Sequence, residues 1–168
     1  GRTAYTYISN VQNVALKEAW ANFKQTKLFK KEFEKFKKDN SNWLDNDSLY
    51  EALAIENGND SWYVWKNEID KNLTNPKTDD ERKIYQKRID EIKSKYSDEI
   101  DFYKFCQFVL EKQNEETKKF ALKHNIKMIA DRQVAFSDRD AWAYQALFLE
   151  GWFLGCPPDY FSKNGQAW

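Results

Sequence analysis

Histidine occurs once in the 168 residues, as His124, cysteine twice, as Cys106 and Cys156, and proline three times. One imidazole excludes a multi-histidine metal site, and its position beside Asn125 suits a side chain that caps a helix C-terminus. The two thiols form no Cys-x-x-Cys pair and read as reduced, structural cysteines. Net charge is missing too: 27 Lys and Arg cancel 27 Asp and Glu, and the two signs are interleaved, which is the usual solvated exterior of helices. Nothing basic invites a nucleic acid. No stretch approaches the ~20 consecutive apolar residues of a membrane span. Residues Gly1 to Ser9 also lack the basic-then-apolar order of a signal peptide. The expectation is therefore a cytoplasmic chain with no membrane partner. There is no G-x-G-x-x-G, no Walker-type loop and no G-x-S-x-G, so nucleotide binding and nucleophile-elbow chemistry have no support. No metal or cofactor is expected.

What is present is apolar and aromatic: 41% hydrophobic residues, with seven Trp, twelve Phe and nine Tyr, enough for a real core. Apart from Gly1, the glycines are Gly58, Gly151, Gly155 and Gly165, and the prolines are Pro76, Pro157 and Pro158. The long middle is thus free of breakers and the end is loop-like. Val14, Ala15, Glu18, Ala19 and Phe23 predict a helix from Asn10 to Lys24. Phe29, Phe33 and Phe36 step by four and three inside a run of lysines, an amphipathic helix whose lysines form its wet face. A third helix opens at Trp43-Leu44-Asp45 and stops at Asn57-Gly58, a pair suited to positive φ. Trp62 and Trp65 fall on one face if helical. Tyr85, Ile89, Ile92 and Tyr96 mark another helix, and Phe102, Phe105, Val109 and Leu110 one that continues to His124, for about six helices in all.

The period changes at Ile126-Lys127-Met128-Ile129-Ala130, which reads as a strand ending on Asp131. Ser137 or Asp138 then caps a final helix from Arg139 to Leu149. A lone strand cannot satisfy its own backbone donors and acceptors. The expected fold class is therefore mainly α, with one strand and a loop cut from a larger α/β sheet or barrel, where Asp131 would sit at the functional, carboxyl end of the strand. Aromatics at helical spacing, Trp20, Phe29, Phe33, Phe36, Phe102 and Phe105, read as core. Tyr160 and Phe161 differ, because they sit in a Pro- and Gly-bounded loop with Asp159 and Gln166. Flat apolar faces beside hydroxyl-compatible groups suit sugar rings.

Three blocks carry a family resemblance. Trp43-Leu44-Asp45-Asn46-Asp47-Ser48-Leu49-Tyr50-Glu51-Ala52-Leu53, followed by Trp62 and Trp65, resembles a WLDDYALFxAL…WxxW segment. Phe102 to Phe108 with Gln113, then Ala121 to Asp131, is similar to the helix and strand before a GDxPIxVA motif. Gly155 to Gln166, closing on Trp168, resembles GVPPDYFSxxGQxWG. These motifs belong to the 4-α-glucanotransferases (amylomaltases) of glycoside hydrolase family 77. The resemblance implies a parent (β/α)8 TIM barrel in which residues 1–124 are a helical insertion and 125–168 a barrel strand, the following helix and a substrate-cleft loop. It implies that Asp159, Tyr160, Phe161, Gln166 and Trp168 contact an α-1,4-glucan or maltooligosaccharide, with Asp131 at the barrel mouth. It also implies a retaining transglycosylation whose catalytic carboxylates lie outside this chain, so that the remainder of the parent enzyme is a required partner. Departures fall around Asp131: Gln133 replaces the family's proline, two residues are missing before Val134-Ala135, and Asp138-Arg139 replace its Ser-Ala.

Two other readings fit the same residues. One is a non-catalytic helical module whose exposed Trp62, Trp65, Tyr160 and Phe161 bind a protein partner or a glucan. The other is one part of a split enzyme, active only with its other part bound.

Overall fold

The computed structural model describes residues 4–131, 136–149, 152 and 154–167. Among them are α1 (Tyr5–Gln25), α2 (Lys30–Asp39), α3 (Ser41–Glu56), α4 (Glu68–Asn72), α5 (Asp79–Lys95), α6 (Ser97–Lys123) and α7 (Asp138–Ala143). Two 3-10 turns, Trp62–Val64 and Gln145–Leu147, and a ladder of β1 (Gly155–Cys156) with β2 (Gln166–Ala167) complete the described elements. The chain forms two compact units, residues 1–52 with 93–128 and residues 53–92 with 129–168.

The first unit is built on aromatic rings placed at helical spacing, with one correction: Phe29, expected in the core, precedes α2 in a left-handed conformation at φ +59° and is 49% exposed. Trp20 and Phe23 of α1, Phe33 of α2, and Phe105 and Phe108 of α6 form one buried cluster, with Phe36, Phe102 and Val109 packed against it. Ring centroids lie 4.9 Å apart for Phe23 and Phe105, 5.3 Å for Trp20 and Phe105, and 5.4 Å for Phe23 and Phe33, the last pair edge to face. Such pairs add about 0.5–1.5 kcal/mol each beyond the area they bury. The lysine run of α2 is more than a wet face. Lys30 Nζ lies 4.3 Å from the Phe23 ring centroid and Lys37 Nζ 4.8 Å from that of Phe33, so two lysines cover the cluster with their heads in cation–π contact.

Polar contacts fix the same helices. Lys104 Nζ reaches Asp45 at 2.5 Å and the Tyr103 hydroxyl donates to Asp47 at 3.3 Å, tying the start of α3 to α6. The Trp20 indole N–H and Lys24 both donate to Asp98 Oδ1, at 3.1 and 2.7 Å. The Lys24 hydrogen bond holds the Asp98 carboxyl below its ordinary range against the opposing effect of burial, with Trp20 assisting.

Helix ends follow the predicted chemistry. After α3, Gly58 adopts φ +80°, and the N–H groups of Asn59 and Gly58 donate to the carbonyls of Ala54 and Ile55 at 2.6 and 3.2 Å. After α6, Asn125 takes φ +55°, and Ile126 and Asn125 donate to Ala121 and Leu122 at 2.9 and 3.1 Å. Both are Schellman closures, which satisfy last-turn carbonyls by a left-handed residue. His124 caps α6 as expected, its Nδ1 2.9 Å from the Phe120 carbonyl oxygen.

The second unit is organised by a buried charge. Asp70 is 1% exposed. Arg88 meets it with both prongs, Nε to Oδ1 at 2.8 Å and Nη2 to Oδ2 at 3.0 Å, and Asn57 Nδ2 donates to Oδ2 at 3.1 Å. The hydrogen bond to Asp70 pushes the Arg88 guanidinium still further from neutrality. The Asp70 backbone carbonyl accepts the Trp142 indole N–H at 2.9 Å, and Trp142 is fully buried against Trp65, ring centroids 6.4 Å apart.

Those contacts explain why the last helix is shorter than expected. Ser137 and Asp140 form the anticipated capping box, but α7 ends at Ala143 instead of continuing to Leu149. The Trp142 carbonyl accepts the Thr74 hydroxyl at 2.5 Å, and Gln145 Nε2 donates to the Lys71 carbonyl at 2.5 Å. Tertiary partners thus replace the next helical bonds, and the chain tightens into a 3-10 turn. Periodicity alone also missed α4, which is only one turn long.

The strand expected over residues 126–130 is not formed: among the described residues that run joins no ladder. Its Ile126, Met128 and Ile129 are 56%, 57% and 96% exposed. β-branched residues favour a strand only where a neighbour supplies hydrogen bonds and covers a face.

Replacing Asp70 with Ala is expected to destabilise the chain by about 1–3 kcal/mol, because Arg88 loses its two-pronged partner and keeps only the longer contacts to Glu56 at 3.5 Å and Glu91 at 3.6 Å. The paired exchange Asp70→Leu with Arg88→Met should cost far less, and urea denaturation of both variants checks the contrast. At Asp98 the folded carboxyl titrates below the unfolded one. Its contribution is therefore full above about pH 4 and is lost as pH falls through the lower folded value. Lys24→Met should move the Asp98 carboxyl titration, followed by NMR, to higher pH.

Candidate glucan-contact loop

The chain from Gly155 to Ala167 folds on itself. Gly155 pairs with Ala167 and Cys156 with Gln166 in an antiparallel ladder. Glycine is needed at the base, since a Cβ on Gly155 would come within 2.2 Å of the Gln166 carbonyl oxygen. It is needed at Gly165 as well, where φ is +72° and a Cβ would lie 2.6 Å from the Cys156 carbonyl oxygen. Between these points Pro157 and Pro158 carry no N–H and hold the preceding chain extended.

Asp159 braces the turn. Its Oδ1 accepts the backbone N–H of Phe161 at 2.9 Å and of Ser162 at 2.7 Å, while its own N–H donates to the Ser162 carbonyl at 2.9 Å. This is an Asx-type turn, a side chain standing in for a backbone acceptor. The Ser162 hydroxyl donates to the Gly165 carbonyl at 2.5 Å, closing the far side. Asp159 Oδ2 makes no bond among the described residues.

The result is a display of two rings. Tyr160 is 95% and Phe161 88% exposed, and they stand edge to face with centroids 5.4 Å apart. Large apolar rings on a loop braced by its own hydrogen bonds are positioned for contact with something else. Tyr and Phe faces stack on the C–H face of a sugar, while a free carboxylate oxygen accepts from its hydroxyls.

Of the residues singled out from sequence, Asp159, Tyr160 and Phe161 come together in one turn, and Gln166 is exposed at its base. Trp168 and residues 132–135 lie outside the described residues. Asp131 is exposed in an irregular segment and shares no hydrogen bond with the loop among the described residues. Trp65 is 2% exposed, its indole N–H donating to the Asp60 carbonyl at 2.8 Å. It is therefore core and not a contact residue, which corrects the surface expected of a Trp62–Trp65 pair. The bracing role of the Asp159 side chain was not anticipated, although Asp followed three residues later by Ser in a Pro-bounded loop is a recognisable turn signal. Among the described residues no group of three or more His, Cys, Asp or Glu side chains is placed to hold a metal, and no helix is long and apolar enough to cross a membrane.

Comparison with known proteins establishes the family. The profile of glycoside hydrolase family 77, described as 4-alpha-glucanotransferase, matches residues 1–168, and the chain belongs to this family. It is 30% identical to the 4-alpha-glucanotransferase of Aquifex aeolicus over 176 aligned positions, which cover 100% of this chain and 33% of that protein. The 4-alpha-glucanotransferase of Clostridium butyricum is 31% identical, covering 98% of this chain and 33% of its own length. That of Thermus thermophilus is 30% identical, covering 100% and 33%. The chain thus spans about a third of the length of the curated relatives it matches.

Gly165→Ala is expected to open the loop, because the Cβ must displace the Cys156 carbonyl. Asp159→Ala should leave the β1–β2 ladder intact but free the ring pair. Amide exchange distinguishes them: Gln166 protection is lost in the first variant, and only Phe161 and Ser162 protection in the second.

Proposed function

We propose that this chain is a substrate-contacting part of a 4-α-glucanotransferase that moves α-1,4-glucan segments between maltooligosaccharides. The observation that carries the reading is the Tyr160–Phe161 pair, held out by the Asp159 brace, in a chain of this family. Tyr160, Phe161 and the free oxygen of Asp159 contact the glucan, with Gln166 and Trp168 at the base of the loop and Asp131 at the mouth of a parent (β/α)8 barrel. In that parent, residues 1–124 serve as a helical insertion. Residues 125–168 supply a barrel strand, a helix and the cleft loop. The exposed Ile126, Met128 and Ile129 support this, since such a run becomes a strand once neighbouring strands pair with it.

The proposed reaction is a retaining transfer. A carboxylate displaces the leaving glucan to form a glycosyl-enzyme, and a second carboxyl about 5–5.5 Å away acts first as acid and then as base. The 4-hydroxyl of another glucan takes the place of water as acceptor. Both carboxylates are assigned to the remainder of the parent enzyme. The aromatic loop covers the cleft, because water competes for the same intermediate.

Maltotriose incubated with the 168-residue chain should give neither glucose nor longer maltooligosaccharides, and joining the chain to the remaining two thirds of the enzyme should give both. Tyr160→Ala in the joined enzyme should lower kcat/KM for maltotriose about tenfold or more, from lost stacking. Disproportionation by the chain alone would place the carboxylates within it and overturn the assignment.

A further inference from the structure

Asparagine followed by glycine occurs twice in the sequence, at Asn57-Gly58 and at Asn164-Gly165. The dipeptide is chemically labile, because a glycine has no Cβ to shield its own backbone nitrogen from the side chain before it. The Gly nitrogen gives up its proton and bonds to the Asn Cγ, the Cγ–Nδ2 bond breaks, and the amide leaves as ammonia. Water then opens the cyclic imide. Attack at the side-chain carbonyl restores the main chain with aspartate. Attack at the main-chain carbonyl routes the chain through the side chain as isoaspartate, one bond longer and carrying a new carboxylate.

The fold sets the two pairs apart. Asn57 is half-buried, and its Nδ2 donates to the Leu53 carbonyl at 2.9 Å and to Asp70 Oδ2 at 3.1 Å, while the Gly58 N–H donates to the Ile55 carbonyl at 3.2 Å. Both groups that must meet are committed, one of them to the buried Asp70–Arg88 pair, so ring closure there waits for the unit to open. Asn164 is exposed, and its side chain makes no hydrogen bond among the described residues. One bond alone opposes closure, from the Gly165 N–H to the Ser162 carbonyl at 3.1 Å. It lies in a surface turn, where local opening costs little.

We propose that Asn164 is a self-modification site, which closes on the Gly165 nitrogen in the folded chain and becomes aspartate or isoaspartate while Asn57 stays intact. The loop has no slack for the longer product. Gly165 sits at φ +72° with space for a Cβ ending 2.6 Å from the Cys156 carbonyl oxygen. An isoaspartate at 164 must therefore break the Ser162–Gly165 turn or the Cys156–Gln166 pairing, and either release loosens the segment that displays Tyr160 and Phe161. The chain thus carries a clock in this loop. What the clock does to glucan contact rests on the transferase reading above; the modification itself does not.

The test is ageing of the 168-residue chain in mildly alkaline buffer, with and without urea, followed by cleavage after lysine and mass analysis. Cleavage at Lys38, Lys66 and Lys163 puts Asn57 in residues 39–66 and Asn164 in residues 164–168, so fragment sequencing reads each site separately. Enzymatic methyl labelling of the free carboxylate distinguishes isoaspartate from aspartate. In the folded chain Asn164 should convert at least about tenfold faster than Asn57, and in urea the two should convert at similar rates. Gln166 amide protection should fall in step with isoaspartate at 164. Asn164→Gln, whose longer side chain closes poorly, should keep that protection on ageing. Equal rates at the two sites in the folded chain, or no conversion at Asn164, would overturn the proposal. Loss of Gln166 protection at the same rate in Asn164→Gln would overturn the effect on the loop. No sugar enters these measurements, so the maltotriose assay on the joined enzyme judges the transferase reading separately.

Discussion

The second unit depends on a carboxylate that has been removed from water. An unpaired Asp at that burial would cost several kcal/mol, and the cost is offset by the two-pronged Arg88 and by Asn57. The consequence reaches beyond the pair. Once Asp70 is fixed, its own carbonyl is positioned to take the Trp142 indole N–H, and residues from the two separated stretches of the unit become one body. The loop with Tyr160 and Phe161 belongs to that unit, so what displays the rings is a local brace carried on a unit organised by a buried ion pair.

The first unit solves its packing differently. It buries no charge among the described residues; its Trp20–Phe23–Phe33–Phe105–Phe108 cluster is closed over by lysine stems, and the ion pairs at Asp45 and Asp98 stay at the rim. Exposed pairs contribute little, so stability there comes from ring packing.

Much of this was legible because it is local. Phe105 and Phe108, Trp20 and Phe23, the Asn57-Gly58 stop, the Asn125 stop and the Ser137 cap are decided by spacing and φ preference within a few residues. The Gly155 to Gln166 segment was legible as a loop for the same reason, as its prolines and glycines punctuate it locally, though the bracing by the Asp159 side chain was not anticipated. Asp70 was not legible. Among 27 acidic residues nothing in its neighbours distinguishes it, and its partner Arg88 stands a helix away.

By itself, then, the sequence determined the long helices, the stops at Gly58 and Asn125, most of the aromatic core and the family, because periodicity, capping chemistry and motif order are carried by adjacent residues. The tertiary structure alone decided that Trp65 is core, that α7 stops at Ala143, and that lysines of α2 cover rings. Each of these turns on which distant group supplies a hydrogen bond or excludes water, and that is a property of the folded chain.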